Sequence, residues 1–154
     1  MAVAEKEGIQ SDIIPKIATG LCGGYARTSG SCGVHAGAVM AIGMLYGRMT
    51  PDDSINTCYT LVNRFDERFK SAFGSVNCTE LLGCDLGTTA GQSKFREENL
   101  MEAVCLKLVK EGARILSGVL GEASNLPETY IASCKESEDL RRLLEPAQSK
   151  QEPQ

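Results

Sequence analysis

One stretch of the sequence, SGSCGVHAGAVMAIGMLYG from Ser29 to Gly47, constrains the fold more than any other. It runs through small apolar residues and is too short and too rich in glycine to span a membrane, so it predicts a buried core helix. Ser31 has the side chain of a helix N-cap, which places Cys32 at the first helical position, and Gly47 is a typical glycine stop. A thiol therefore lies at the start of a packed helix, and the other cysteines of the chain indicate whether its role is chemical or only packing.

Helical periodicity and capping signals predict the other helices. No segment shows the alternation of apolar and polar residues that is typical of a β-strand. The predicted helices are Asp12 to Leu21, a helix that starts at Thr50 and Pro51 and ends at Gly74, a short one from Cys78 to Gly83, a long one from about Gln92 to Leu120, and a weaker one from Ser133 to Leu144. The first ten or so residues carry no pattern, and GGYARTSGS is typical of a linker.

These elements predict an all-α fold, a single-domain bundle of four to five helices. Residues 1–125 are expected to form a helical, cysteine-rich domain. Residues 126–154 are expected to form a C-terminal extension, with a weak helix followed by a disordered tail because the last residues are polar.

Charge and composition argue against several classes of partner. The net charge of −4 comes without a basic block, which argues against nucleic acid and against an anionic membrane surface. The chain has no Trp, so it lacks a common stacking platform for nucleotides or sugars. The Gly-rich segment before Cys32 lacks the strand and the spacing of a phosphate-binding loop. The remaining reactive groups are seven thiols, at Cys22, Cys32, Cys58, Cys78, Cys84, Cys105 and Cys134.

The cysteine count and the N-terminal residues indicate the compartment. Seven is an odd number, and MAVAEKEGIQSD lacks a basic segment followed by an apolar core, so we expect no signal peptide. We expect a cytoplasmic protein without a membrane span. Structural disulfides are rare there, and clustered cysteines more often bind metal or perform redox chemistry.

Cys32 and Cys78 are the candidate catalytic residues, because each is predicted to lie at the start of a helix. Asn77 and Glu80 form a capping-box pattern around Cys78. The unpaired N–H groups and the positive end of the helix dipole are expected to lower the thiol pKa and favour the thiolate, which attacks disulfides and binds metals. The alternative is that both cysteines are packed as small hydrophobic residues.

Two further cysteines complete the candidate set. On a continuous helix Cys78 and Cys84 would point about 120° apart, but Gly83 breaks the helix and lets both turn toward one site. Cys105 faces inward on the long helix and supplies a fourth sulfur if the helix starts pack together; otherwise it fills the core. The predicted cofactor-binding and metal-ligating set is Cys32, Cys78, Cys84 and Cys105.

The other cysteines and the single histidine are assigned separately. Cys58 lies in an apolar helical stripe and is assigned to packing, and Cys134 is assigned to no site. Cys22 lies beside two glycines, and its role stays open. His35, three residues after Cys32, either pairs with its thiolate, ligates metal, or is a partly buried histidine bonded to a backbone carbonyl.

Several segments together resemble a known family. They are GGYARTSGSCGVHAG, LYGR, NCTELLGCDL and Cys105 with its LKLV continuation. This pattern resembles the redox-active proteins written C_GCAxxG_C_C, whose hallmark is a CGAxxG motif with further cysteines, over roughly residues 12–120. The positions that carry the resemblance are Cys32 as the motif cysteine, Gly33 and Gly37 as its glycines, Cys78 and Cys105 as downstream cysteines, and Cys84.

Two positions depart from the family pattern. The motif alanine is Val34, and the family's early cysteine has no match in the N-terminal residues, where Cys22 is the substitute. Related domains in multihaem cytochromes carry an iron centre, so the resemblance implies an iron–sulfur cluster. The chain has no CxxCH and therefore cannot attach c-type haem by itself.

Three functions follow from these patterns. The first is an iron–sulfur protein for electron transfer or redox sensing, since four thiolates suit such a cluster; zinc would fit the same ligands but carries no electrons. The second is a thiol–disulfide oxidoreductase without metal, with Cys32 or Cys78 as the attacking thiolate. The third is a helical interaction module whose cysteines are inert.

The expected partner of the redox functions is a redox protein. The predicted helix after Cys32 has one face with almost no side chain, because small residues recur every four positions at Gly33, Gly37 and Ala41. Another backbone can approach this face closely, either within the chain or across the two-fold axis of a homodimer.

Overall fold

The structure, a computed structural model, describes residues 2–126. Its helices are α1 (Ala2–Lys6), α2 (Ile13–Ala18), α3 (Gly33–Tyr46), α4 (Asn56–Phe73), α5 (Cys78–Leu82), α6 (Thr89–Glu97) and α7 (Leu106–Gly121). The all-α class is confirmed, and within residues 2–126 the only β pairing is one isolated bridge. The predicted helix from Ser133 to Leu144, the tail and Cys134 lie outside the described residues.

The core lies between α3, α4 and α7, which pack against one another in pairs. Its fully buried side chains are Ile42, Leu61, Phe65, Phe69 and Val119. On α4 the apolar side chains recur every three to four residues, so one stripe of the helix faces the other two. Burying each large side chain of this kind contributes about 1.5–3 kcal/mol, so this three-helix core is the main source of stability.

Helix α3 starts one residue later than the sequence predicts. Cys32 has φ −57° and ψ 132°, so it is the N-cap and Gly33 is the first helical residue. Ser31 does not cap the helix, because it forms the β-bridge with Asn77. The predicted stop is confirmed, since α3 ends before Gly47.

Helix α4 starts at Asn56, so the prediction of a start at Thr50 is wrong. The carboxylate of Asp53 accepts hydrogen bonds from the backbone N–H groups of Met49 and Thr50, both at 2.9 Å, and closes a local turn before the helix. The predicted end at Gly74 is confirmed, because this glycine has φ +80°, a left-handed conformation that stops helices.

The predicted single helix from Gln92 to Leu120 is wrong, because α6 and α7 are separate helices. Asn99 lies between them with φ +48°, which ends the first helix without a glycine or a proline. The residues Met101–Cys105 then form a π-helical turn that leads into α7. Cys105 therefore stands where the π turn meets α7. Such π turns are rare and frequently lie at functional sites.

The glycine-rich stretch after Cys22 is an ordered left-handed turn rather than a plain linker. Residues Cys22–Arg27 coil back on themselves, with φ between 53° and 66° from Gly23 to Ala26. Non-glycine residues adopt this conformation at a cost of about 1–2 kcal/mol each. Hydrogen bonds from Gly30 N–H and from the Thr28 hydroxyl to the carbonyl oxygen of Gly24 help to offset this cost.

The face of α3 that carries small residues packs against another segment of the same chain at Gly33, its first glycine. A Cβ atom on Gly33 would lie 2.7 Å from the carbonyl oxygen of Leu21, so only glycine lets these two segments approach so closely. A Cβ on Gly37 would meet nothing within 4 Å. In the described part of the chain, no helix combines the length and the apolarity needed to cross a membrane.

Candidate functional site

An antiparallel β-bridge holds the starts of α3 and α5 side by side. The Cys32 N–H donates to the carbonyl oxygen of Val76 at 2.7 Å, and the Cys78 N–H donates to that of Gly30 at 3.0 Å. The backbones of both candidate catalytic cysteines are therefore fixed by one pair of hydrogen bonds. Each cysteine begins a helix that points away from this bridge.

Helix α5 starts and ends as the sequence predicts. The side-chain oxygen of Asn77 accepts hydrogen bonds from the N–H groups of Thr79 and Glu80, at 2.9 and 3.2 Å. The Glu80 carboxylate does not accept a hydrogen bond from the Asn77 N–H, as it would in a capping box. Instead, the Ser75 hydroxyl accepts that N–H at 2.9 Å and donates to Glu80. Gly83, with φ +64°, stops the helix and leaves Cys84 on the following turn.

The four candidate thiols lie in two adjoining apolar clusters. Buried Cys78 and Cys84 and half-buried Cys105 belong to one cluster, together with Leu82 and Leu100. Cys32 is buried in the other cluster, which is the main core. Val104 packs against both clusters and so joins them. The structure therefore brings the side chains of all four into one region, and a role for them as cofactor ligands stays a prediction.

Burial and neighbouring charges oppose ionisation of Cys78 and Cys105. The pKa of Cys78 is raised from 9.0 to about 11, mainly by burial and then by the charges of Cys32, Cys105 and Cys84. Burial also raises the pKa of Cys105, followed by the charges of Cys32, Cys22 and Cys84. The expected lowering of the Cys78 pKa at the helix start is wrong, because desolvation outweighs the helix dipole there.

Cys22 is a fifth thiol near this region, and it is exposed. Its charge contributes to the raised pKa of Cys105. The left-handed turn that begins at Cys22 folds over α5, because a Cβ on Gly24 would lie 2.6 Å from the Cβ of Cys78. The sequence showed the glycines but not their left-handed conformation, so this proximity was missed.

Cys58 stands apart from the other cysteines. It lies on α4, packs against the main core, and has its pKa raised by burial alone. The structure places it where the sequence predicts a packing residue.

His35 turns away from the thiols and toward α4. Its Nε2 lies 3.1 Å from an Asp66 carboxylate oxygen, and its Nδ1 lies 3.3 Å from the Ser31 hydroxyl. Burial acts to raise the pKa of Asp66, but the hydrogen bond and charge of Lys70 and the hydrogen bond of His35 lower it overall. Both imidazole nitrogens are thus hydrogen-bonded to side chains, and a role as metal ligand would break one of these bonds.

The sequence did not reveal two carboxylates that support this region. Asp66 orients His35, and Asp85, next to Cys84, accepts a hydrogen bond from the Ser29 hydroxyl at 2.7 Å. That bond and the bond from the Gly87 N–H lower the pKa of Asp85. Only long-range packing reveals such partners, because both hydrogen bonds join residues that are far apart in the sequence.

The donor set fits an iron–sulfur cluster in ligand type and in burial, because such clusters are held by cysteine thiolates. Among residues 2–126, however, no three or more His, Cys, Asp or Glu side chains are arranged to hold a metal ion. The thiols therefore share a region without forming a ready coordination shell, and ligation requires their side chains to move closer.

The fold and the site define a small all-α protein with a buried group of free thiols. The chain belongs to the family described as "Putative redox-active protein (C_GCAxxG_C_C)", whose family model matches residues 1–119. The resemblance drawn from the sequence is thereby confirmed. No curated protein and no solved structure matches the chain.

Proposed function

We propose that this protein is a redox protein whose buried cysteines bind an iron–sulfur cluster for electron transfer or redox sensing. The proposed ligands are Cys32, Cys78, Cys84 and Cys105. The observation that carries the proposal is the convergence of these thiols around Cys78, whose pKa reaches about 11. Membership of the redox-active family supports the coarser statement that the chain performs redox chemistry.

The raised pKa favours a cluster over simple thiol exchange through Cys78. A thiol with a pKa of about 11 is protonated at neutral pH, whereas only the thiolate attacks a disulfide. A metal ion changes this balance, because its positive charge stabilises neighbouring thiolates and displaces their protons. Desolvation and mutual repulsion of the sulfurs thus hinder exchange but are relieved by a bound metal.

The surrounding chain has a defined part in this proposal. When bound, an iron–sulfur cluster supplies one-electron transfer at a potential that depends on solvent exposure and on hydrogen bonds to sulfur. Leu82 and Leu100, each at most 7% exposed, keep water from the thiols. The bridge between the starts of α3 and α5 fixes the backbone of two ligands before any metal arrives.

Anaerobic reconstitution tests the proposal. The purified chain is incubated with ferrous iron and sulfide without oxygen, desalted, and assayed for bound iron, bound sulfide and visible absorbance. We expect a brown protein with iron and sulfide in fixed ratio to the chain. Single replacements by alanine at Cys32, Cys78, Cys84 or Cys105 are expected to remove most of the iron.

Cys58→Ala is the matched control, because Cys58 is also a partly buried thiol with a raised pKa but has no cysteine among the causes of that rise. It is expected to bind iron as the unmodified protein does. Cys22→Ala tests whether the fifth thiol replaces one of the four. A colourless, iron-free protein after reconstitution would refute the cluster.

Thiol–disulfide exchange without metal is the second candidate, and the placement of Cys22 favours it. The exposed Cys22 thiolate would attack a disulfide of a partner protein, forming a mixed disulfide and releasing one partner thiolate. Cys105 would then lose its proton to solvent, a step that its raised pKa opposes, and its thiolate would attack the mixed disulfide, which oxidises the pair and releases the second partner thiolate. Mild oxidation of the metal-free protein should then remove two thiols, and an unchanged thiol count excludes this candidate.

Zinc fits the same four sulfurs but would give a colourless protein, so metal analysis separates it from iron. We place the protein in the cytoplasm, where structural disulfides are rare, because all six described cysteines are free thiols. We propose a redox protein as its partner, since an electron-transfer site needs a donor or an acceptor. An inert helical interaction module would retain all partner binding and every redox response after replacement of both Cys32 and Cys78 by serine.

A further inference from the structure

We infer that Asn77 is a positioning residue of the thiol site, because its one amide side chain joins the segments that carry Cys32 and Cys78. The inference rests on the proposed redox function and extends it to a residue that cannot itself bind a cluster. Its chemistry is that of a neutral hydrogen-bonding group with a donor and an acceptor on opposite sides.

The two halves of the Asn77 amide serve different segments. The oxygen Oδ1 accepts from the N–H groups of Thr79 and Glu80 and so caps α5. The nitrogen Nδ2 donates to the carbonyl oxygen of Ser29 at 2.7 Å, three residues before Cys32. Capping alone needs only the oxygen, so the second bond is a separate function of the same side chain.

Ser29 is the other half of this connection, and its backbone is strained. It has φ +60°, a left-handed conformation that a serine adopts only where the surroundings hold it. Its carbonyl oxygen accepts from Asn77, and its hydroxyl donates to Asp85 at 2.7 Å. We call Ser29, Asn77 and Asp85 the Ser29 clasp.

The Ser29 clasp ties together the segments of three proposed ligands. Asn77 directly precedes Cys78, Asp85 directly follows Cys84, and Ser29 lies on the segment that leads into Cys32. The clasp therefore sets how these three segments lie relative to one another. Supporting hydrogen bonds of this kind orient ligands and tune the potential of a metal site.

Asn77→Ser separates positioning from capping. Serine keeps a side-chain oxygen suited to the cap and loses the amide donor to Ser29. Thr88→Ala is the matched control, because it removes the cap of α6, where the Thr88 hydroxyl accepts from the Gly91 N–H at 3.0 Å. That change weakens a helix start of the same kind. It also removes the bond from the Thr88 hydroxyl to the backbone carbonyl oxygen of Asp85 at 2.9 Å, but it leaves the hydrogen bonds of the Ser29 and Asn77 side chains in place.

The first readout is hydrogen exchange in the full chain without metal, measured by NMR on ¹⁵N-labelled protein. The amides observed are the Cys32 and Cys78 N–H groups, which form the β-bridge. We expect Asn77→Ser to speed their exchange about fivefold, since a lost hydrogen bond of about 1 kcal/mol is a factor of about five. Thr88→Ala is expected to leave both rates unchanged.

The second readout is the midpoint potential of the iron-loaded protein, which a purely structural role would not move. We expect a shift in Asn77→Ser that is absent in Thr88→Ala. If the unmodified protein loads no iron, the proposed cluster fails, and the equilibrium of its thiols with a glutathione redox buffer replaces the potential as readout. Ser29→Ala, which breaks the bond to Asp85, is the second variant if Asn77→Ser does not fold.

Two results overturn the inference. Unchanged exchange of both bridge amides in Asn77→Ser would show that the amide donor does not hold the segments together. Faster exchange with an unchanged potential would show that the clasp stabilises the backbone without positioning the thiols for redox chemistry. Faster exchange with a shifted potential, both absent in Thr88→Ala, supports it.

Discussion

Replacing Gly24 by alanine tests whether the left-handed turn is packed onto the thiol site. Gly24 has φ +66°, and an added Cβ would lie 2.6 Å from the Cβ of Cys78 and 2.9 Å from the carbonyl oxygen of Gly30. Carbon atoms in contact prefer about 3.5–4.0 Å, so the turn and α5 must separate by about 1 Å. Gly24→Ala thus combines an unfavourable backbone conformation with overpacking.

The two costs can be separated by a matched glycine. The left-handed conformation costs an alanine about 1–2 kcal/mol, and overpacking adds about 1–3 kcal/mol, so Gly24→Ala is expected to lose about 2–5 kcal/mol of unfolding free energy. Gly74 has φ +80° but nothing within 4 Å of an added Cβ. Gly74→Ala therefore carries only the first cost, about 1–2 kcal/mol.

The assay is urea unfolding followed by circular dichroism, since the chain has no Trp for fluorescence. Native-state reaction with a thiol reagent is measured alongside, because displacement of α5 exposes Cys78. We expect faster labelling of Cys78 in Gly24→Ala and not in Gly74→Ala. Equal losses of stability in the two variants, with equal labelling, would refute the packing of the turn against Cys78.

Three further predictions concern stability. Because the pKa of Cys78 is raised from 9.0 to about 11, the protonated thiol contributes to the free energy of unfolding fully below pH 9, and this contribution is lost as pH rises toward 11. In urea unfolding the loss should reach about 1.4 kcal/mol by pH 10. Cys78→Ala should not show this loss. Phe65→Ala should cost about 3–5 kcal/mol in the same assay, whereas Tyr59→Ala, on an exposed position of the same helix, should cost less than about 1 kcal/mol; equal losses would contradict the assignment of the core. Gly33→Ala should destabilise by about 1–3 kcal/mol, because its Cβ would lie 2.7 Å from a backbone oxygen, while Gly37→Ala, with open space, should stabilise α3 by up to about 1 kcal/mol; a gain in both would show that the chain does not pack closely at the first glycine.

Local signals explain the parts of the fold that the sequence predicted correctly. Asn77 and Gly83 delimit α5 because a capping side chain and a left-handed glycine act within a few residues. Gly74 ends α4 for the same reason. The apolar stripe that the sequence predicts around Cys58 does pack against the core, since helical periodicity depends only on spacing.

The errors arose where one local interaction competed with another or where partners are distant in sequence. Thr50 looked like a helix cap, but the Asp53 carboxylate captured the nearby N–H groups in a turn instead. Asn99 broke the long helix because asparagine tolerates positive φ, which periodicity does not detect. The raised pKa of Cys78 depends on burial and on three other cysteines, two of them distant in the sequence, so the local effect of the helix start was a poor guide.

Under the proposed function, the order in which the cysteines are synthesised limits when a metal could be inserted. Cys22 and Cys105 come from opposite ends of the described chain, and the protein is synthesised from the N-terminus. The early cysteines leave the ribosome while α7, which follows Cys105, has not yet been made. If the thiols bind iron as proposed, its insertion would therefore await release of nearly the whole domain, and until then a reducing environment would have to protect the early sulfurs from oxidation.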